Sequence, residues 1–305
     1  MVPLSAVPDV AAEVGHTPPI MTRPIPTTGE QLPVVGLGTA QQWNDDQPAT
    51  RATFIEVIRA LADGGGRLLD TASNPGGYGI AESLLGEIFT ETDLRPRVFL
   101  ATKVEEDLFV NAGVLQAALG RLRVSKIDLM QLHSVSWHWQ NLGPLREWKA
   151  QGLVRYIGIT KDSSNANFDT VEGIMRRLKP DFLQIDCSMN NREAEQRVLP
   201  AAAELGVAVL INEPFGGVRR GGVPSGHNLF RAVQGKPLPD WASEFDAATW
   251  GQFFLKYLLG NPAVTAVIPG TNKASHMADN LGAGRGRLPN AAQRQRMVQF
   301  IEALA

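Results

Sequence analysis

The chain has 305 residues, 44% of them hydrophobic, and a formal net charge of -2, enough for one large domain or two ordinary ones with a sizeable core. With Lys plus Arg at 29 and Asp plus Glu at 31, no positive excess exists to neutralise a phosphate backbone or an anionic bilayer, so neither nucleic acid nor membrane is expected as a partner. Cys187 is the sole cysteine, which excludes an intramolecular disulfide and a zinc site built on several thiolates.

Residues 1–20, "MVPLSAVPDVAAEVGHTPPI", lack a basic start and a sustained apolar core, so as written they are no secretory signal and read as a flexible leader. A remnant of a removed signal fits equally well. No later run approaches the ~20 apolar residues needed to span a bilayer. The segment "RPIPTTGEQLPVV" carries the Gly turn of a hairpin and is expected to cap one end of the fold. From there short aliphatic runs alternate with longer segments of helical period, the pattern of repeated βα units around a parallel sheet.

Eight strands are expected, at residues 33–39, 67–72, 98–104, 127–133, 155–160, 181–188, 207–213 and 263–270. Helical candidates between them include "RATFIEVIRALADGG", "AESLLGEIFTET", "VLQAALGRLRV", "FDTVEGIMRRLK" and "EAEQRVLPAAAELG". The stretch "GLGTAQ" keeps only the first two glycines of G-x-G-x-x-G, so the dinucleotide fingerprint of an open doubly wound sheet fails. The expected fold is α/β, a closed (β/α)8 TIM barrel with an N-terminal β-hairpin cap, formed by residues 21–305 as a single domain. Residues 218–245 read as a long loop after the seventh strand.

In such a barrel the chemistry collects at the carboxyl ends of strands. Asp70 ends the second strand, Lys103 the third and His133 the fourth, while Tyr78 sits in the Pro/Gly turn after the second. A lysine at the barrel mouth is costly to bury alone, so Asp70 is its natural partner. A tyrosine hydroxyl beside that ammonium has its pKa lowered from about 10 and can give up a proton near neutrality. A histidine can orient a substrate oxygen by hydrogen bonding. Together these groups suit protonation of a carbonyl oxygen; none of them delivers hydride, so a nicotinamide cofactor is required. Read one at a time, Asp70 also fits a helix cap, Lys103 a solvated cation and His133 a core histidine, and only their combination points to a site.

The stretches "LLDTASNPGGYGIAESLLGEIF", "FLATKV", "IDLMQLHSV", "EWKAQGLVRYIGIT" and "VIPGTNKASHMADNLGA" resemble the aldo-keto reductases, and the likeness runs from about residue 23 to the end. The resemblance implies a barrel enzyme that reduces aldehydes and ketones with NADPH, NADH being possible. It assigns Asp70, Tyr78, Lys103 and His133 to the family's active-site positions, with Tyr78 as the acid. Five residues, "SNPGG", separate "DTA" from "YG" here where the family mostly has two, and a Pro/Gly bulge is expected to absorb the difference.

For the cofactor the resemblance implies Thr39 at the end of the first strand, Thr160 and Lys161 where the family has Ser-Asn after the fifth strand, Gln184 as the carboxamide-binding glutamine, and Asn212 at the position of the family's stacking tyrosine. Pro214, Phe215 and Gly216 follow it. Thr271, Asn272, Lys273, His276 and Asn280 match the segment around the adenosine 2′-phosphate, with His276 where arginine is common. Trp43, Trp137 and Trp139, with Trp241 and Trp250 as further candidates, are expected near the mouth as apolar walls for a small carbonyl substrate. NADPH dependence points to the cytoplasm, an exported mature form staying open. The alternatives are a nucleotide-binding sensor on the same barrel with little turnover, and a metal-dependent barrel hydrolase or isomerase, which lacks paired ligands after the strands.

Overall fold

The computed structural model describes residues 18–40, 42–43, 46–73, 80–104, 111–133, 142–161, 168–216 and 228–304. The chain opens with an antiparallel hairpin, Thr22–Pro24 (β1) against Gln31–Pro33 (β2), turned at Gly29 with φ +76°, a value that favours glycine. Eight strands follow: Leu37–Gly38 (β3), Leu68–Asp70 (β4), Phe99–Val104 (β5), Ile127–Leu132 (β6), Val154–Lys161 (β7), Phe182–Asp186 (β8), Ala208–Asn212 (β9) and Ala266–Val267 (β10). All neighbours pair in parallel, in sequence order.

The sheet closes on itself. Gly36 N–H donates to Val267 O at 2.8 Å, Val267 N–H to Val34 O at 2.9 Å and Gly38 N–H to Pro269 O at 3.1 Å. The first and last strands are shorter than expected: Pro33 belongs to hairpin strand β2, Pro269 has no N–H to give a ladder, and the seam is held by isolated bridges at Val35–Val267 and Gly38–Gly270. A Cβ on residue 38 would meet the Ile268 carbonyl at 2.9 Å, so glycine is what lets the seam draw together.

Strand alternation sorts the barrel interior into layers. At the amino-terminal end the inward residues are apolar: Phe99, Tyr156 and Phe182 pack with Leu68, Leu129, Leu210 and Ile268 around Ile25 and Leu32 of the hairpin. The hairpin thus plugs that end, as expected. The next inward positions toward the carboxyl end are polar: Asp70, Lys103, Gln131, His133, Thr160, Gln184 and Asp186 are all buried.

The helices Pro48–Asp63, Ala81–Glu91, Ala112–Leu122 and Phe168–Leu178 lie where periodicity put them. The expected helix over 193–206 is instead two, Glu193–Gln196 and Val198–Leu205. Pro200 cannot donate to the Gln196 carbonyl, and the chain breaks at Arg197. Residues 218–245 are not loop throughout: Asn228 caps a short helix at Leu229–Ala232, and Asp240–Phe245 form 3-10 turns after Pro239. Docking also begins before residue 21, since Arg285 Nε donates to Pro18 O at 2.9 Å and Ile20 packs against the core.

Candidate active site

Lys103 projects inward from β5 with 1% of its surface exposed. Its ammonium donates to Asp70 Oδ2 at 2.5 Å and to Thr71 O at 2.9 Å. The register explains the meeting: Asp70 on β4 pairs with Ala101 on β5, one inward position before Lys103. Thr39, after β3, completes this side, its hydroxyl donating to Thr71 Oγ1 at 2.9 Å and its N–H to Asp70 O at 3.0 Å. His133 is buried at the end of β6, its backbone N–H donating to Val104 O at 2.9 Å.

Asp70 is held from a second side by amides. Gln131 Nε2 donates to Asp70 Oδ1 at 3.3 Å and to Gln184 Oε1 at 3.1 Å, and Gln184 Nε2 donates to Asp70 Oδ2 at 3.4 Å. An ammonium and two amide donors thus satisfy a carboxylate that water does not reach. Gln184 keeps one N–H and one oxygen lone pair beyond these bonds.

Further round the mouth, Lys161 at the end of β7 donates to Asp186 Oδ1 on β8 at 2.7 Å, with both side chains at most 5% exposed. Asn191 Nδ2 donates to the other oxygen of Asp186 at 2.9 Å, and the Lys161 ammonium lies 4.4 Å from the Phe168 ring centroid, a cation–π contact. Thr160 is buried beside Gln184, its register partner. Asn212 ends β9 and donates to Lys161 O at 3.4 Å, while its Oδ1 is buried with no hydrogen-bond partner. Pro214, Phe215 and Gly216 follow at once, and the Phe215 ring sits 4.9 Å from Phe230 and 6.4 Å from Phe254.

On the far side, helix Ala274–Gly282 begins at Lys273 with no side-chain cap, leaving first-turn N–H groups for solvent or a ligand. Lys273 N–H donates to Thr271 Oγ1 at 3.1 Å. Asn272, Lys273 and His276 are exposed, whereas Thr271 and Asn280 are buried.

Trp43 is not an open wall: it is fully buried, stacked on Phe54 with centroids 4.1 Å apart, and its ring N–H donates to Thr271 O at 3.3 Å. Its place is structural, between the first helix and the segment that precedes Lys273. Trp241 and Trp250 likewise belong to the outer helical layer, edge-on to Phe253, with Trp250 Nε1 donating to Lys236 O at 3.0 Å. Tyr78, Trp137 and Trp139 lie outside the described residues. An open depression beside Asn272, lined also by Gln42, Ala49, Thr50, Thr53 and Phe54, contains no ionisable group. Among the described residues no cluster of three or more His, Cys, Asp or Glu could hold a metal ion, and no helix is long and apolar enough to cross a membrane.

Residues 34–297 match the family model described as Aldo/keto reductase family. The chain belongs to this family. The 6-dehydroglucose reductase of Novosphingobium aromaticivorans is 27% identical, over 84% of this chain and 90% of its own. An aldo-keto reductase of Klebsiella pneumoniae solved in complex with NADPH superposes with a TM-score of 0.68 at 21% identity, over 90% of this chain and 92% of its own. The holo form of a Bacillus halodurans aldo-keto reductase reaches 0.70 at 20%, over 92% and 96%.

Within this aldo-keto reductase barrel, the structure brings Asp70, Lys103 and Gln184 into direct hydrogen-bonded contact. It also reveals Thr71, Gln131, Asp186 and Asn191, which a search for polar residues closing apolar runs passes over. Gln131 has one sequence signal, parity: it stands two residues before His133, as Gln184 stands two before Asp186, so both share the inward face one layer deeper.

Proposed function

We propose that this aldo-keto reductase reduces the carbonyl of a small aldehyde or ketone to an alcohol, using NADPH in preference to NADH. The observation that carries the reading is the buried Lys103–Asp70 pair at 2.5 Å, which shares its carboxylate with Gln184 on the cofactor side of the barrel mouth. A nicotinamide cofactor, when bound, supplies the hydride that no side chain here can deliver. The residues present suit one: Gln184 retains a donor and an acceptor, and the Asn212 oxygen lacks a partner, together matching the needs of a carboxamide. Thr160, Lys161, Pro214, Phe215 and Gly216 border that region in the chain. Lys273, with Thr271, Asn272, His276 and Asn280 around a helix amino terminus, suits the 2′-phosphate.

In the proposed reaction His133 holds the substrate oxygen and orients it. Tyr78 gives its proton to that oxygen as negative charge develops there, and recovers a proton from solvent afterwards. The Lys103 charge favours release of the phenol proton, and Asp70 holds the ammonium in place. Trp137 and Trp139 are proposed to contact the substrate.

Incubation of the protein with NADPH and a panel of aldehydes, ketones and quinones tests the proposal by loss of reduced-nicotinamide absorbance. Steady turnover on at least one carbonyl supports it. Tight NADPH binding without turnover on any compound would favour a nucleotide-binding sensor instead.

A further inference from the structure

Gln131 has no part in the reaction just described, yet it sits at its centre. It is fully buried on β6, facing inward one layer below His133. With Gln184 and Asp70 it closes a ring of hydrogen bonds across β4, β6 and β8 at 3.1 to 3.4 Å. Its amide can sit only this way round, because the reverse would set its oxygen against both the Asp70 carboxylate and the Gln184 oxygen. The orientation leaves Gln131 Oε1 buried without a partner, against Gly158. A Cβ on residue 158 would meet Gln131 Cγ at 2.9 Å and Oε1 at 3.2 Å, so the barrel makes room for this side chain by omitting one. An orphaned amide oxygen is unfavourable, and an apolar residue of the same length would serve packing alone better.

We infer that Gln131 is a positioning residue that couples the two halves of the site: its single amide nitrogen fixes the Gln184 amide for the cofactor's carboxamide and steadies Asp70 against Lys103. The inference rests on the proposed cofactor site for its first half and on the reductase reading for its second. Any change that frees Gln184 therefore reaches Asp70, and the reverse.

Gln131→Met tests it, since methionine is unbranched, fits beside Gly158 and removes both the donor and the orphaned acceptor. The variant is expected to keep the parent's melting temperature and to bind NADPH about tenfold more weakly, the factor for one lost hydrogen bond. Its affinity for 2′,5′-ADP, which lacks the nicotinamide, stays unchanged. In Gln131→Glu the side chain repels Asp70 once it is ionised. On acidification the protonated acid regains a donor, so its turnover relative to the parent climbs as pH falls. Equal weakening of NADPH and 2′,5′-ADP would reduce Gln131 to packing and overturn the inference, as would no change in either. If Gln131→Met loses NADPH selectively but the parent reduces no carbonyl, the reductase reading falls and the hold on Gln184 stands.

Discussion

The Lys103 ammonium and the Asp70 carboxylate meet at 2.5 Å with side chains 1% and 2% exposed, so neither charge has water to fall back on. Lys103→Met strands the carboxylate, and breaking one side of a buried pair costs roughly 3 to 5 kcal/mol. The variant is expected to lose that stability in urea unfolding and to lose carbonyl turnover as well. Replacing both residues by apolar ones of similar volume is expected to recover much of the stability and none of the turnover.

The buried stack of Trp43 on Phe54 gives a contrasting expectation. Trp43→Ala should destabilise the barrel by roughly 3 to 5 kcal/mol, the cost of emptying a large aromatic site. Trp43→Phe, which keeps a ring against Phe54, should lose less stability and leave the KM for carbonyl substrates near the parent's. A large rise in KM with unaltered stability would return Trp43 to the substrate wall.

Much of this was legible in the sequence, and the misses have physical causes. Eight apolar runs mark eight strands because a parallel barrel buries both faces of each. Asp70, Lys103 and His133 stand out because each closes such a run. Gln131 hides inside its run, "IDLMQLH", where only inward parity distinguishes it from a neighbour on the outer face. Asp186 gains meaning only once β7 lies beside it and delivers Lys161. The burial of Trp43 on Phe54 is not legible, because an aromatic residue near a strand end looks the same in sequence whether it lines a wall or fills the core.

If Lys273 holds the 2′-phosphate as proposed, Lys273→Ala should weaken NADPH binding by ~1 to 3 kcal/mol, the range for a charge-assisted contact, and leave NADH binding nearly unchanged. Titration of both cofactors by fluorescence checks this. Equal losses would put Lys273 outside the 2′-phosphate site.

Lys256 supplies a pH test away from the site. It is fully buried on helix Trp250–Leu259 and donates to Arg285 O at 2.6 Å and Arg287 O at 2.9 Å. Burial pushes its pKa down to about 8 from 10.5, with Arg287 acting the same way and Asp246 opposing. Above about pH 8 the unfolded chain therefore holds a proton that the folded chain has released, and stability rises with pH. Cys187 and Tyr257, whose burial raises their pKa values, work in the opposite direction, but only above the ordinary thiol value of 9.0. Unfolding by urea is expected to show a gain of roughly 1 kcal/mol between about pH 8 and 9 that is absent in Lys256→Met. An identical pH slope in the two proteins would contradict it.

The Lys103–Asp70 pair is proposed to serve an acid, and that acid is proposed to be Tyr78. Tyr78→Phe removes one hydroxyl and keeps the ring, so folding and NADPH affinity should survive while turnover falls by the ~10²- to 10⁴-fold typical of losing a general acid. The decisive measurement is NADPH oxidation by parent and Tyr78→Phe with a carbonyl compound that the parent reduces well. A fall of that size at unchanged NADPH affinity is expected, and near-full turnover by the variant would rule out Tyr78 as the acid.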